Sequence, residues 1–464
     1  MSPRPLPSAT EAQVAPFVAE ASGPLPPVAR APASPLELVP AWKHAPSGGA
    51  SGPRYVFRRE GFGALIYDRE TCQYLPFDLE ATEFLLARSD RPRATHIPGQ
   101  GSFLATMQSE GILDPEGRLA ARVVADRSHP DQLSAPLTVY LGATEGCNLA
   151  CSHCQADSAP GALRPVDREL MEALFREQHE LGAMQVHVTG GEPLLHPELL
   201  AGLDVAFSLG LNVLLTTNAT LITDRLAAAL AKRPFRCLSV SLDGPDAETH
   251  DLIRGPGTLD AALRGLRRIA GLGPVGVTAT LTPGLLGRIG DLARLCEENG
   301  AASLYLRPGL PAGRALRQRE TLPLAADFER AARELDRAQA EVSIPLFRPS
   351  LVPHQQDSAR ILEDFGCVAG NMVCSVSPDG QVNPCALLGP GFDTGSLAEQ
   401  GLHALWSQGE AFLRLRELRG NPDCWSCKHY DYCGGGCRAR ALADGRELND
   451  PDPWCHYELR EALA

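Results

Sequence analysis

The stretch TEGCNLACSHCQADS, Thr144 to Ser158, sets Cys147, Cys151 and Cys154 with three residues between the first pair and two between the second. Thiolates are soft, strong metal ligands, so three in one loop point to metal. Three thiolates fill three of the four iron positions of a cubane cluster and leave one iron open. A structural zinc site would need a fourth ligand, for which His153 lies inside the loop. A second stretch, HVTGGEPLLHP, ends an apolar run in Gly190, Gly191, Glu192 and Pro193, a turn whose bare backbone can approach a ligand closely. Eight further cysteines crowd into the last quarter: Cys367, Cys374, Cys385, Cys424, Cys427, Cys433, Cys437 and Cys455. No single ion uses eight thiolates, whereas eight make two complete four-thiolate cages, which suits two further iron–sulfur clusters. Cys72, Cys237 and Cys296 stand alone and read as small buried hydrophobes.

These groups need a scaffold, and composition bounds it. The chain has 464 residues, 44% hydrophobic and 21% charged, enough for two or three domains with a sizeable core. Its formal net charge of -13 argues against nucleic acid or an anionic membrane surface as the main partner. The opening MSPRPLPSAT carries no apolar signal-peptide core, and no segment runs to membrane-spanning length without charge. The expected location is the cytoplasm, where dense, regularly spaced cysteines are metal ligands or redox groups rather than disulfides.

Five regions follow along the chain. Residues 1–52 are rich in Pro, Ala, Ser and Gly and cannot offset their ordering entropy, so a disordered tail is expected. Residues 53–130 read as a small α+β module, two β-like runs joined by a turn at Asp68 to Thr71 and then an acidic-capped helix from Asp78. Over 135–315, short apolar runs such as LTVYLGAT and CLSVSLDG alternate with amphipathic helical segments. That alternation predicts an α/β fold with a parallel sheet and right-handed crossovers, open or closed into a barrel, with its working site at the carboxyl ends of the strands. The three-cysteine loop follows the first strand, so it sits at that end. Linker helices are expected over 316–365 and a cysteine-rich domain over 366–464.

Together, the C-x3-C-x2-C loop and the GGEP turn resemble the radical S-adenosylmethionine (SAM) superfamily. The resemblance implies a partial, TIM-like (β/α)6 barrel and a 4Fe-4S cluster on Cys147, Cys151 and Cys154 whose open iron chelates SAM. It implies that the turn from Gly190 to Pro193 holds the amino group of SAM, and that Asn218, Ser241, Asp243 and Arg254 meet its ribose and carboxylate. A plain capping role for those four stands beside this. The chemistry implied is reductive cleavage of SAM to methionine and a 5'-deoxyadenosyl radical that abstracts hydrogen from a substrate. His187, just before the turn, could face the barrel interior or be a satisfied core histidine.

The spacing C-x12-G-x4-C, then C-x2-C-x5-C-x3-C, then a last cysteine closely resembles the SPASM extension of that superfamily. This implies one auxiliary 4Fe-4S cluster on Cys367, Cys374, Cys385 and Cys437 and an outer one on Cys424, Cys427, Cys433 and Cys455, three clusters in all. Family members vary at the position of Cys374, and some leave one iron open there. Arg438 and Arg440 would favour the anionic thiolates or be plainly solvated, and Tyr430 and Tyr432, between outer-cluster cysteines, could assist electron transfer or serve packing. The 53–130 module looks like a PqqD-like domain, which captures a leader peptide as an added strand. Ala386 stands where sulfatase-maturing relatives carry an aspartate base, which argues against formylglycine formation. The reading is therefore a peptide maturase that crosslinks, oxidises or epimerises a ribosomally made precursor peptide, with a reductase, flavodoxin or ferredoxin as electron donor. Two alternatives stand beside it: modification of a haem or other tetrapyrrole precursor, and a non-catalytic zinc-ribbon binding protein.

Overall fold

The structure, a computed structural model, describes residues 52–89, 100–161, 163–273, 275–347, 367–418, 421–425, 427 and 430–455. The tail expected over 1–52 and part of the linker expected over 316–365 lie outside these residues, save Gly52 and 316–347. In the N-terminal module, β1 (Tyr55–Glu60), β2 (Gly63–Asp68) and β3 (Gln73–Asp78) form an antiparallel meander. The sequence pattern predicts two strands here, but the first run divides at the turn Gly61–Phe62 and makes three. Asp78 caps helix α1 (Leu79–Leu86) by accepting from the Ala81 amide at 2.8 Å, as its position predicts. Helix α2 (Gln100–Ser109) follows, and β4 (Ala121–Val123) joins parallel to β1, giving the order β3-β2-β1-β4.

Six parallel strands in chain order make the barrel: β5 (Thr138–Gly142), β6 (Gln185–Thr189), β7 (Asn212–Thr217), β8 (Cys237–Ser241), β9 (Val275–Leu281) and β10 (Ser303–Pro308). The crossovers carry α3 (Arg168–Leu181), α4 (Leu199–Ser208), α5 (Asp224–Leu230), α6 (Ala247–Arg254), α7 (Thr258–Ala270) and α8 (Ile289–Glu298). Helix α3 shows why the sequence folds this way. Asp167 caps its first turn, Gly182 ends it at φ 69°, and Met171, Leu174, Phe175, Gln178 and Leu181 form its buried stripe. Along the strands, Val139, Leu141, Val186, Val188, Val213, Leu215, Leu238, Val240, Val277, Ala279, Leu304 and Leu306 are at most 1% exposed and face the helices. The opposite face is polar and only half-buried, carrying Tyr140, His187, Thr216, Ser239, Thr278 and Tyr305.

After β10 come α9 (Gly313–Arg317), α10 (Ala325–Gln339) and β11 (Leu346–Phe347), which pairs with β10. The hairpin β12 (Val373–Val376) and β13 (Val382–Asn383) turns at Gly380, φ 82°, where the sequence places a turn. The sequence reads this hairpin as part of a separate domain. In the structure β12 pairs parallel to β5, so the cysteine-rich region extends the barrel sheet to nine strands. The physical reason is the unpaired backbone edge that β5 would otherwise present. Short helices α11 (Leu397–Gln400), α12 (Leu402–Gln408), α13 (Glu410–Arg416), α14 (Tyr430–Cys433) and α15 (Arg438–Ala443) complete the order.

The module docks on the amino-terminal end of the barrel. Tyr74 Oη donates to Leu137 O and accepts from the Met184 amide, both at 3.0 Å, and Gln185 Nε2 donates to Cys72 O at 2.7 Å. These partners stand where β5 and β6 begin. Among the described residues no helix is long and apolar enough to cross a membrane.

Candidate functional site

The three-cysteine loop leaves β5 at the carboxyl end of the barrel and is held from several sides. Gly191 N donates to Thr144 O at 2.7 Å and Glu192 N to Gly146 O at 2.9 Å, so the GGEP turn of β6 is stitched to the loop. A Cβ on Gly191 would lie 2.0 Å from Gly146 O, and one on Gly190, at φ +122°, 2.6 Å from Thr144 O. The glycines are there for this close approach of two backbones.

Glu192 is 1% exposed. It receives Thr217 Oγ1 at 2.6 Å, the Asn218 amide at 2.8 Å and the Leu194 amide at 3.1 Å. Burial raises its carboxyl and these three donors oppose the rise. It thereby fixes Asn218, whose Nδ2 donates to Asn148 Oδ1 at 2.9 Å and lies 3.9 Å from Cys147 Sγ. Ser241 ends β8 on the interior face.

Asp243 is fully buried and fully engaged. It meets His153 Nε2 at 2.7 Å, the Thr280 amide at 2.8 Å and Arg254 Nε. Burial alone would raise its carboxyl, but Arg254 and then His153 hold it well below the usual carboxylate range. Arg254 is in turn raised by Asp243 and Cys151 against the opposing effect of burial, and its charge also acts on Cys147. Burial pushes the Cys151 thiol up to about 11, and Arg254 pulls against it. Arg254 sets a cation against the rise that burial causes in Cys151 and Cys147, a setting that suits thiolate ligands of an iron–sulfur cluster. His153, inside the loop, is held through Nε2 by Asp243 just after β8, and its Nδ1 is buried with no hydrogen-bond partner among the described residues.

Electrostatic coupling divides the thiols of the cysteine-rich region into two sets, while among the described residues no three His, Cys, Asp or Glu side chains stand close enough to hold one metal ion. Cys385 and Cys437 each sense Cys367, and Cys385 also senses Cys437. Cys424 senses Cys455, Cys433 and Cys427, and Cys433 senses Cys455. Arg440 bonds Asp452 and acts on Cys437 and Cys367, while Arg438 reaches Gly434 O and acts on Cys424.

Cys374 is not in either group. It pairs in register with Val139, whose side chain faces the helix layer, and it lies at 0% exposure in the main apolar core with Arg416 as its charged neighbour. Cys385 instead acts on Tyr140, which points to the opposite face. Strand alternation therefore turns Cys374 away from the thiols with which its spacing groups it.

Comparison with known proteins identifies the family. Residues 142–295 match the family described as the radical SAM superfamily, and 367–428 match SPASM, an iron-sulfur cluster-binding domain. An AdoMet-dependent heme synthase of Methanosarcina barkeri is 32% identical over 349 residues, 70% of this chain and 97% of that protein. Mycofactocin maturase MftC of Mycobacterium tuberculosis is 30% identical over 329 residues, 70% of this chain and 83% of that protein. The chain belongs to the radical SAM superfamily. SuiB of Streptococcus suis bound to S-adenosylmethionine shares the fold of this radical SAM protein, with TM-score 0.69 at 20% identity over 87% of this chain and 98% of that one. SuiB bound to its precursor peptide SuiA aligns with TM-score 0.67 at 18% identity, over 86% of this chain and 97% of that one.

Sequence reasoning passed over the second anchor of the radical SAM loop, which comes from the segment RPGLPAGRA after β10. Arg314 donates from its amide to Cys154 O at 2.8 Å and from its guanidinium to Cys151 O at 2.6 Å and Ser158 O at 2.9 Å. The signal was Gly313 before it: φ is +55°, and a Cβ would lie 2.4 Å from Gln155 O. His187 does face the interior, with Nε2 2.8 Å from Thr216 Oγ1.

Proposed function

We propose that this radical SAM/SPASM enzyme oxidatively modifies a ribosomally made peptide, by crosslinking, oxidation or epimerisation of a side chain or α-carbon. The observation that carries the reading is the four-stranded module on the barrel. Its terminal strand β3 pairs on one side with β2, so an extended leader peptide can add along the other side, as in a PqqD-like domain. The likeness to the mycofactocin maturase over 70% of the chain supports it.

Cys147, Cys151 and Cys154 would hold the SAM-binding 4Fe-4S cluster. Cys367, Cys385 and Cys437 would hold the auxiliary cluster nearer the substrate, and Cys424, Cys427, Cys433 and Cys455 the outer one. When bound, these groups and SAM supply the radical that abstracts hydrogen from the substrate. The chain's own part is positional. The backbone from Gly190 to Pro193, with Asn218 and Ser241, lines the place for SAM. Glu192, Asp243 and Arg254 keep that lining and the thiols in register. A flavodoxin- or ferredoxin-type donor or a reductase provides electrons, and the enzyme works in the cytoplasm.

The test is anaerobic reconstitution with iron and sulfide counted and SAM turnover under dithionite followed. About twelve irons are expected, as three four-iron clusters require, with 5'-deoxyadenosine formed. The Cys147→Ala, Cys151→Ala, Cys154→Ala variant should keep about eight irons and form none. Zinc without sulfide would instead select the binding-protein alternative. Modification of a tetrapyrrole precursor is the second reading, favoured by the 32% identity to the heme synthase over nearly its whole length. Mass spectrometry of a peptide or a porphyrin incubated with the loaded enzyme and SAM separates the two, because only the true substrate changes mass.

A further inference from the structure

The barrel interior is lined for a polar guest. Parallel strands covered on both faces ordinarily carry apolar side chains on both. Here the inner face carries hydroxyls, an imidazole and two phenols. His187 Nε2 lies 2.8 Å from Thr216 Oγ1, the His187 ring is 5.1 Å from that of Tyr140, and Ser239 Oγ is 2.6 Å from Thr278 Oγ1. On β10, Leu304 and Leu306 are 0% exposed against the helices, so Tyr305 and Arg307 point inward. Arg307 pairs in register with Thr280, next to the carboxyl-end rim, and its charge acts on both Tyr140 and His187 across the interior.

The other guanidiniums near this end are spent on the scaffold: Arg254 on Asp243 and Arg314 on the loop carbonyls. Among the described residues no carboxylate pairs with Arg307. Glu192 and Asp243, the buried carboxylates of the loop site, are already satisfied. His187 is held neutral, so Arg307 is the cation that a guest in the interior would meet.

Resting on the radical SAM reading above, we infer that the barrel interior binds a substrate carboxylate and that Arg307 is its anchor. A guanidinium presents a planar fork that matches a carboxylate, and Arg307 is exposed and so open to a guest. The carboxylate belongs either to a peptide, at its C-terminus or on an acidic side chain, or to a tetrapyrrole propionate. In both cases the anchor holds a carbon near the carboxylate below the mouth where Cys147, Cys151 and Cys154 sit.

The experiment titrates the anaerobically reconstituted holoenzyme by calorimetry with two pairs of probes: N-acetyltyrosine against N-acetyltyrosinamide, and coproporphyrin III against its tetracarboxamide. The wild type is expected to bind the acid of one pair at least about tenfold more tightly than its neutral partner, the scale of a charge-assisted hydrogen-bond pair. Arg307→Met and Arg307→Gln should abolish that preference and Arg307→Lys should keep part of it, with iron content checked on each. Preference within the amino-acid pair assigns the carboxylate to a peptide, and within the porphyrin pair to a tetrapyrrole. Equal binding of acid and neutral partner, binding of neither acid, or an unchanged preference in both neutral variants overturns the anchor. A wild type that forms 5'-deoxyadenosine yet shows no preference loses only the anchor, whereas one that forms none loses the enzyme reading beneath it.

Discussion

At the residue scale, the site depends on groups that never need to touch SAM. Asp243 falls where sequence reasoning expects a cofactor contact, but burial and four partners make it the brace that orients His153 and Arg254. Replacing it by Asn leaves Arg254 buried without its counter-charge, so a loss of about 3 kcal/mol is expected. Denaturant titration would measure that loss, and iron analysis should show the SAM-site cluster depleted while the auxiliary clusters remain. Cys374 gives the opposite outcome. Because it faces the helix layer beside Val139, Cys374→Ala should leave the iron count unchanged, whereas Cys385→Ala should lower it by about one cluster of four. An equal loss in both variants would return Cys374 to the ligand set. Residue types and spacings were legible from the sequence; the direction each side chain faces was not, because it depends on the pairing register of β12.

At the element scale, the cysteine loop is clamped between the turn after β6 and the segment after β10. These are the second and last strands of the barrel, so the clamp draws the first and last strand ends toward one loop. Gly191→Ala places a methyl 2.0 Å from Gly146 O, a backbone atom that cannot swing aside. The expected result is a chain that retains its auxiliary iron but binds the SAM-site cluster poorly, read from the iron count and from the cluster signal in electron paramagnetic resonance. The strand–helix alternation and the GGEP turn could be read directly, since period-two and period-3.6 patterns are local. The contribution of Arg314 could not, because it sits 160 residues from Cys154 in sequence and meets it only through the fold.

At the scale of the whole molecule, the module that would receive a leader peptide docks on the amino-terminal end of the barrel, while the thiols stand at the carboxyl end. A five-residue strand spans about 16 Å, so one peptide serving both must run along the outside of the barrel. Tyr74 anchors the dock, and Tyr74→Phe removes its bonds to Leu137 O and the Met184 amide. Two buried backbone groups then lack a partner, at a cost of about 1–3 kcal/mol each. Limited proteolysis between residues 125 and 136 should quicken in that variant.

The hollow barrel also couples to pH. Burial first, and then Arg307, pushes His187 down to about 3. The unfolded chain protonates this histidine near pH 6.5, so its contribution to stability is complete above about 6.5 and is lost as pH falls toward 3, at up to about 1.4 kcal/mol per unit. Urea midpoints at about pH 7 and about pH 5 should therefore converge more in His187→Gln than in the wild type.

The sequence by itself determined the chemistry, because cysteine spacing, a glycine-rich turn and strand–helix periodicity are properties of a few neighbouring residues. It named the superfamily, the auxiliary domain and the parallel barrel. Only the tertiary structure decided that Cys374 faces away, that Arg314 locks the loop, that β12 extends the barrel sheet and that Arg307 has no carboxylate partner among the described residues beside a polar interior. Each of those depends on register and on contacts between residues far apart in the chain, where strand pairing and burial, rather than local pattern, set which groups meet.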